Sequence, residues 1–166
     1  ASWVNPNNIT TDDGNSATIA FSLGGQNGDL LVASLFDFKL PPDAVIDGLA
    51  VAIDGGNNSA FATLSLNIAG TSTKDAGTLN SSYGGATDLW GATEITQDDL
   101  DSLTVSLETS DVSGGDGSAS VDYLQVTVFW HLDMNNALAD VPIRMVYKAY
   151  SRDGQYLGDL PNVVPS

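Results

Sequence analysis

Reactive side chains are scarce in this sequence, and that scarcity is the first constraint on function. The 166 residues include a single histidine, His131, and no cysteine, so neither a thiol nucleophile nor a disulfide framework is available. His131 stands beside Trp130 at the end of an alternating apolar run, and no Gly-x-Ser-x-Gly elbow occurs. A triad needs a nucleophile and an orienting acid around its histidine, so His131 reads as a strand-end residue rather than a base. A glycosidase needs two carboxylates about 5 to 10 Å apart across a cleft. The only glutamates, Glu94 and Glu108, sit in no distinctive context. A phosphate cradle of the G-x-x-x-x-G-K type is absent. The reading is a protein without enzymatic activity.

Carboxylates, by contrast, are abundant. Residues 1–133 hold 18 acidic and 2 basic side chains, a balance of 2 − 18 = −16, whereas residues 134–166 hold three of each, a balance of 3 − 3 = 0. A surface so negative repels phosphate backbones and anionic lipid, which argues against nucleic-acid and membrane partners. A solvated acidic coat is the plain explanation, and Asp and Asn also serve turns. Hard cations are the sharper alternative, because they take carboxylate and carbonyl oxygens from flexible loops. If calcium binds, the candidates are Asp12 and Asp13 in DDGN and Asp111 and Asp116 at the two ends of a Gly/Ser loop. Neither loop has the EF-hand spacing. No cofactor is otherwise expected.

Large aromatics offer another kind of site, since a sugar ring can stack on an exposed aromatic face. Tyr83 and Trp90 are the candidates for glycan contact. Both sit beside apolar runs, where burial of the ring is the commoner outcome.

The elements that must position these residues are nearly all strands. Ala17 to Leu23 alternates apolar and polar residues, as do Val45 to Ile53, Ala60 to Ala69, Leu103 to Glu108 and Ser120 to His131. Leu30 to Leu40 is a denser apolar run that stops at Pro41-Pro42. Gly48 inside a strand predicts a bulge or a close backbone approach. Asp54-Gly-Gly-Asn-Asn58 reads as a loop leading into the next strand, and residues 70–82 read as a long loop. The stretch YGGATDLWGATEITQDDLDSL, from Tyr83 to Leu103, reads as a crossing segment that Trp90 anchors to the core. It carries a short helix start at Thr96 with Asp98, Asp99 and Asp101 behind it. Several short strands separated by Gly, Asn, Asp and Ser turns predict an all-β, antiparallel, jelly-roll-like β-sandwich.

The sandwich is expected to occupy residues 1–133, with a linker at 134–142 and a C-terminal β-hairpin and extended arm at 143–166. That arm turns at Asp153-Gly154 and is rich in tyrosine and basic residues. A lone hairpin is marginally stable in water. Met145, Val146, Tyr147, Tyr150, Tyr156 and Leu157 are therefore expected to dock on a partner. No run approaches the roughly 20 apolar residues of a membrane span.

Several spaced motifs point to a family. Trp3-x-Asn5-Pro6, Asp13-Gly14, Phe36-Asp37-Phe38 and Pro42-x-Ala44-x-Ile46-x-Gly48 precede Tyr83-Gly84-Gly85 and Asp88-Leu89-Trp90-Gly91. Val121-Asp122 and Val126-Thr127-Val128 close the set before Phe129-Trp130. Together they resemble a β-sandwich module of tailed-bacteriophage minor tail and tail-fibre proteins. The segment Val146 to Val164 is similar to the opening of phage tail-tip and baseplate-hub proteins, where a larger body follows. The resemblance implies a non-enzymatic virion structural protein of the tail. It would assemble with copies of itself and other virion proteins, and a host-surface glycan is a further conceivable ligand. The alternatives are a secreted or surface carbohydrate-binding module and a capsid decoration or head protein.

Overall fold

The computed structural model describes residues 1–22, 25–58, 60–77, 79–111 and 117–133, and the backbone of 148–150 and 156–159. The chain divides into two compact units, Ala1–Leu132 and Asp133–Ser166.

The first unit is an all-β sandwich of two four-stranded antiparallel sheets. One sheet has the order β1-β8-β3-β6, formed by Ala17–Ala20, Ser118–Leu132, Ala44–Asn58 and Ser81–Gly84. The other has the order β2-β7-β4-β5, formed by Leu31–Ala33, Val105–Asp111, Ala60–Leu66 and Lys74–Asp75. The backbone of the first sheet is the long ladder of β3 with β8, which runs from Ala44 opposite Leu132 to Asn58 opposite Ser118.

Alternation in the sequence becomes alternation in burial. Leu49, Val51 and Ile53 of β3 and Ala62, Leu64 and Leu66 of β4 are buried, as are Val105 and Leu107 of β7. They meet in one core with Ile19, Phe21 and Val121. Each such Val, Leu or Ile contributes about 1.5–3 kcal/mol by leaving water. Gly48 lies at a register shift between Ile46 and Gly48, and a Cβ there would run into the Gly85 carbonyl oxygen. Both outcomes expected of that glycine are met: a bulge and a close approach.

Three elements depart from the sequence reading. The apolar run 30–40 yields only a three-residue strand, because Leu35 takes a left-handed backbone (φ 65°) and leaves the sheet 96% exposed. Phe36 and Phe38 then stack, with centroids 5.8 Å apart, and pack against the core from a loop. The 70–82 stretch is partly ordered as β5 and the start of β6, edge strands too short and polar to show a period. Strand β3 continues through Asp54-Gly-Gly-Asn-Asn58, which by composition reads as a loop. It stays extended because β8 pairs with it all the way to Asn58.

The helix start at Thr96 forms as expected, as α1 (Gln97–Asp101). Asp99 N–H donates to Thr96 Oγ1, and Asp99 Oδ2 accepts from Thr96 N–H at 2.8 Å, a complete capping box. The Thr96 hydroxyl and backbone N–H hold the Asp99 carboxyl below the usual carboxylate range.

In the second unit, β9 (Lys148–Tyr150) and β10 (Tyr156–Asp159) pair antiparallel. The linker 134–142 and the Asp153-Gly154 turn lie outside the described residues. Among the described residues no helix is long and apolar enough to cross a membrane.

Candidate functional site

Two segments are pinned to the β3–β8 sheet by opposite means. The first is the Trp90 crossing. Trp90 is 1% exposed, and its Nε1 donates to the Leu49 carbonyl at 2.9 Å, so the indole is buried with its polar edge satisfied. Its backbone is left-handed (φ 58°), a conformation uncommon for a bulky residue. Three contacts hold it there. Trp90 N–H donates to Asp88 Oδ1 at 2.7 Å, Trp90 O accepts from Ser72 N–H at 2.5 Å, and Lys74 Nζ lies 4.9 Å from the ring centroid. Lys74 also donates to Asp88 Oδ2 at 2.7 Å. That hydrogen bond, and the one from Trp90 N–H, lower the Asp88 pKa. Gly84 makes room: its φ is +87°, and a Cβ would collide with the Leu49 carbonyl oxygen and with Trp90 Nε1.

This geometry corrects the glycan reading of Trp90. The indole is a core anchor and has no face open to a sugar. Tyr83 is half-buried against the core with its hydroxyl sequestered, so it is no platform either.

The second pinned segment is residues 5–15. After a 3₁₀ turn at Pro6–Ile9 the chain bridges Thr10 to Tyr123 of β8 and brings Asp12 over the sheet. There Asp12, Asp54 of β3 and Asp122 of β8 gather, each with a carboxylate oxygen within 4.8 Å of the others'. Asp122 is put there by a bulge. Asp54 pairs with Tyr123 and Gly55 with Val121, so Asp122 is the extra residue of β8. Asp122 as a residue is half-buried, but its carboxylate is sunk. Oδ2 accepts Gly14 N–H at 3.1 Å, and Oδ1 is shielded from solvent and meets no donor.

Of the metal candidates read from sequence that lie among the described residues, Asp12 alone joins this trio. Asp13 Oδ1 is taken up by Asn15 N–H at 2.9 Å, a local turn bond. Asp111 is buried at the end of β7, and Asp116 lies outside the described residues. Asp54 and Asp122 were missed, although the sequence carries a signal for one. In strict alternation Asp122 falls in the core-facing row with Leu124 and Val126, while Ala119 and Val121 fall out of it. A charge in the core row and a switch of parity together mark a bulge.

Two further features lie on the same unit. A cleft of about 600 Å³ is lined by Phe36, Phe38 and Tyr123 together with Asn7, Thr10 and Gln125. At the far end of the β3–β8 ladder the core-facing row runs on without cover. Trp130 opposes buried Ile46, and Leu132 opposes Ala44, yet they are 40% and 42% exposed. His131, between them, places Nδ1 2.8 Å from Asp47 Oδ1 at the exposed strand end.

Of the residues expected at an assembly interface, Met145, Val146 and Tyr147 lie outside the described residues. Tyr150 falls on β9, and Tyr156 and Leu157 on β10. No protein-family model, no curated protein and no solved structure matches this chain.

Proposed function

We propose that this chain is a non-enzymatic structural protein of a tailed-bacteriophage virion, belonging to the tail, whose sandwich is built into an assembly through residues 143–166. The observation that carries the proposal is the uncovered end of the β3–β8 ladder. A core-facing Trp130 and Leu132 left open to water are side chains of the kind that a protein interface buries. They sit where the chain passes from a body of charge −16 into a segment that holds three of its five basic residues. Strand pairing by 148–150 and 156–159 supplies main-chain edges, and apolar side chains set the register by β-augmentation. Assembly into symmetric homo-oligomers follows from one surface meeting copies of the same chain. The strand orders of the two sheets support a jelly-roll wiring as well.

The test is solution mass by light scattering of three proteins: the full chain, a chain ending at Asp133, and full-length Trp130→Lys. A defined oligomer for the full chain, a monomer for the shortened one and weakened association for Trp130→Lys are expected. Monomers throughout would sink self-assembly, and an oligomer insensitive to Trp130→Lys would move the interface elsewhere.

A second reading, glycan binding, has one observation in its favour. The cleft beside Phe36, Phe38 and Tyr123 combines aromatic rings with polar side chains, the lining that carbohydrate sites use. Binding on a glycan array that disappears in Phe36→Ala with the fold intact is the outcome this reading requires.

A further inference from the structure

We infer that Asp12, Asp54 and Asp122 form a calcium site that clamps the N-terminal segment onto the β3–β8 sheet. The proposal is independent of the assembly role. Two observations carry it. The first is the convergence of three carboxylates from three separate parts of the chain, with one oxygen of each within 4.8 Å of the other two. Oxygens bound to one Ca²⁺ at about 2.3–2.6 Å are at most about 4.6–5.2 Å apart, so all three fit around a single ion. Mg²⁺ dehydrates reluctantly and usually keeps several waters, so a site built from protein oxygens favours Ca²⁺.

The second observation is the state of Asp122 Oδ1. It is buried and has no hydrogen-bond donor, while the other oxygen of the same carboxylate is occupied by Gly14 N–H. A solvent-shielded carboxylate oxygen without a hydrogen-bond donor, in a cluster of like charges, is costly unless a cation completes it. The described basic side chains do not serve. Lys39 pairs with Asp37, Lys74 with Asp88, and His131 with Asp47. Backbone carbonyls and waters fill the remaining positions of a hard-cation shell that needs 6–8 oxygens.

The ligand placement assigns a role. Asp54 and Asp122 belong to the sheet, whereas Asp12 belongs to the segment that crosses it between the Thr10–Tyr123 bridge and Gly14. A shared ion ties segment to sheet and fixes the bulged residue in place.

The experiment uses the full chain, stripped with chelator and dialysed. Titration calorimetry with CaCl₂, and separately with MgCl₂ at matched ionic strength, reads affinity. Hydrogen exchange reads protection of the Gly14 amide. Saturable calcium binding is expected, tighter than magnesium and with slower Gly14 exchange in calcium. Asp12→Asn combined with Asp54→Asn should weaken calcium binding at least tenfold; both positions are exposed, so the fold tolerates the change. Asp13→Asn, in the same acidic loop but outside the trio, should leave affinity unchanged. No saturable binding overturns the proposal. So does binding that the double variant leaves intact, which would place the ion elsewhere on the acidic surface. Equal loss in Asp13→Asn would reduce the effect to general charge and overturn it likewise.

Discussion

The Trp90 crossing and the segment at residues 5–15 each tie a loop to the β3–β8 sheet, but they are finished differently. At Trp90 every group has a partner inside the protein: ring in the core, Nε1 on Leu49, backbone N–H on Asp88, Asp88 on Lys74. At Asp12 the anchor is three like charges and a buried oxygen with no donor. An apolar anchor is self-sufficient and needs no bound ion, because burying area stabilises whether or not a specific cation is present. A carboxylate anchor is conditional, because its sign changes with what is bound. The same sheet thus carries a permanent fastening and a switchable one.

The comparison is broken most severely by Trp90→Ala. Removing a fully buried indole and its bond to Leu49 should lower unfolding stability by about 3–5 kcal/mol, read as a reduced midpoint in urea, with no dependence on calcium. Gly84→Ala should follow with about 1–3 kcal/mol from overpacking, since its Cβ meets backbone and indole atoms that cannot withdraw. If Gly84→Ala is neutral, the close approach of β6 to Trp90 is wrong.

At the second anchor the expected effect has two signs. Without calcium, Asp12→Asn with Asp54→Asn relieves repulsion and should raise the melting temperature by about 2–4 °C, roughly the yield of 1 kcal/mol in a domain this size. With calcium the same variant should melt below the unmodified protein. A variant that is destabilised equally in both conditions removes the contrast between the two anchors.

The smallest effect concerns Lys74 and Asp88, a partly exposed pair. Lys74→Met should cost under about 1 kcal/mol, diminishing with salt. Hydrogen bonds from Lys74 and Trp90 depress the Asp88 pKa in the folded state. A depressed folded value means that this stabilisation is fully present above the unfolded carboxylate pKa of about 3.9. It is lost as pH falls from there through the lowered folded value. Lys74→Met should therefore flatten the acid limb of stability against pH, and an unchanged limb would mean that the pair contributes nothing.

Much of this architecture is legible in the residues. Period-two burial in β3, β4, β7 and β8, the Thr96 cap and the awkward Gly48 are local matters, decided by steric and hydrogen-bonding rules that act within a few residues. Trp90 as an anchor is legible too, because a large aromatic between glycines in a crossing segment has little else to do. What the sequence alone determined is therefore an acidic, all-β body with Trp90 turned inward. Tertiary structure decided the rest. Composition makes Asp54-Gly-Gly-Asn-Asn58 a loop, yet pairing with β8 across sixty or more residues of chain holds it extended. Asp12, Asp54 and Asp122 are far apart in sequence and come together only because a bulge rotates one of them out of the core row. Long-range pairing and a one-residue slip in register leave at most a faint local trace, and they set where the charges meet.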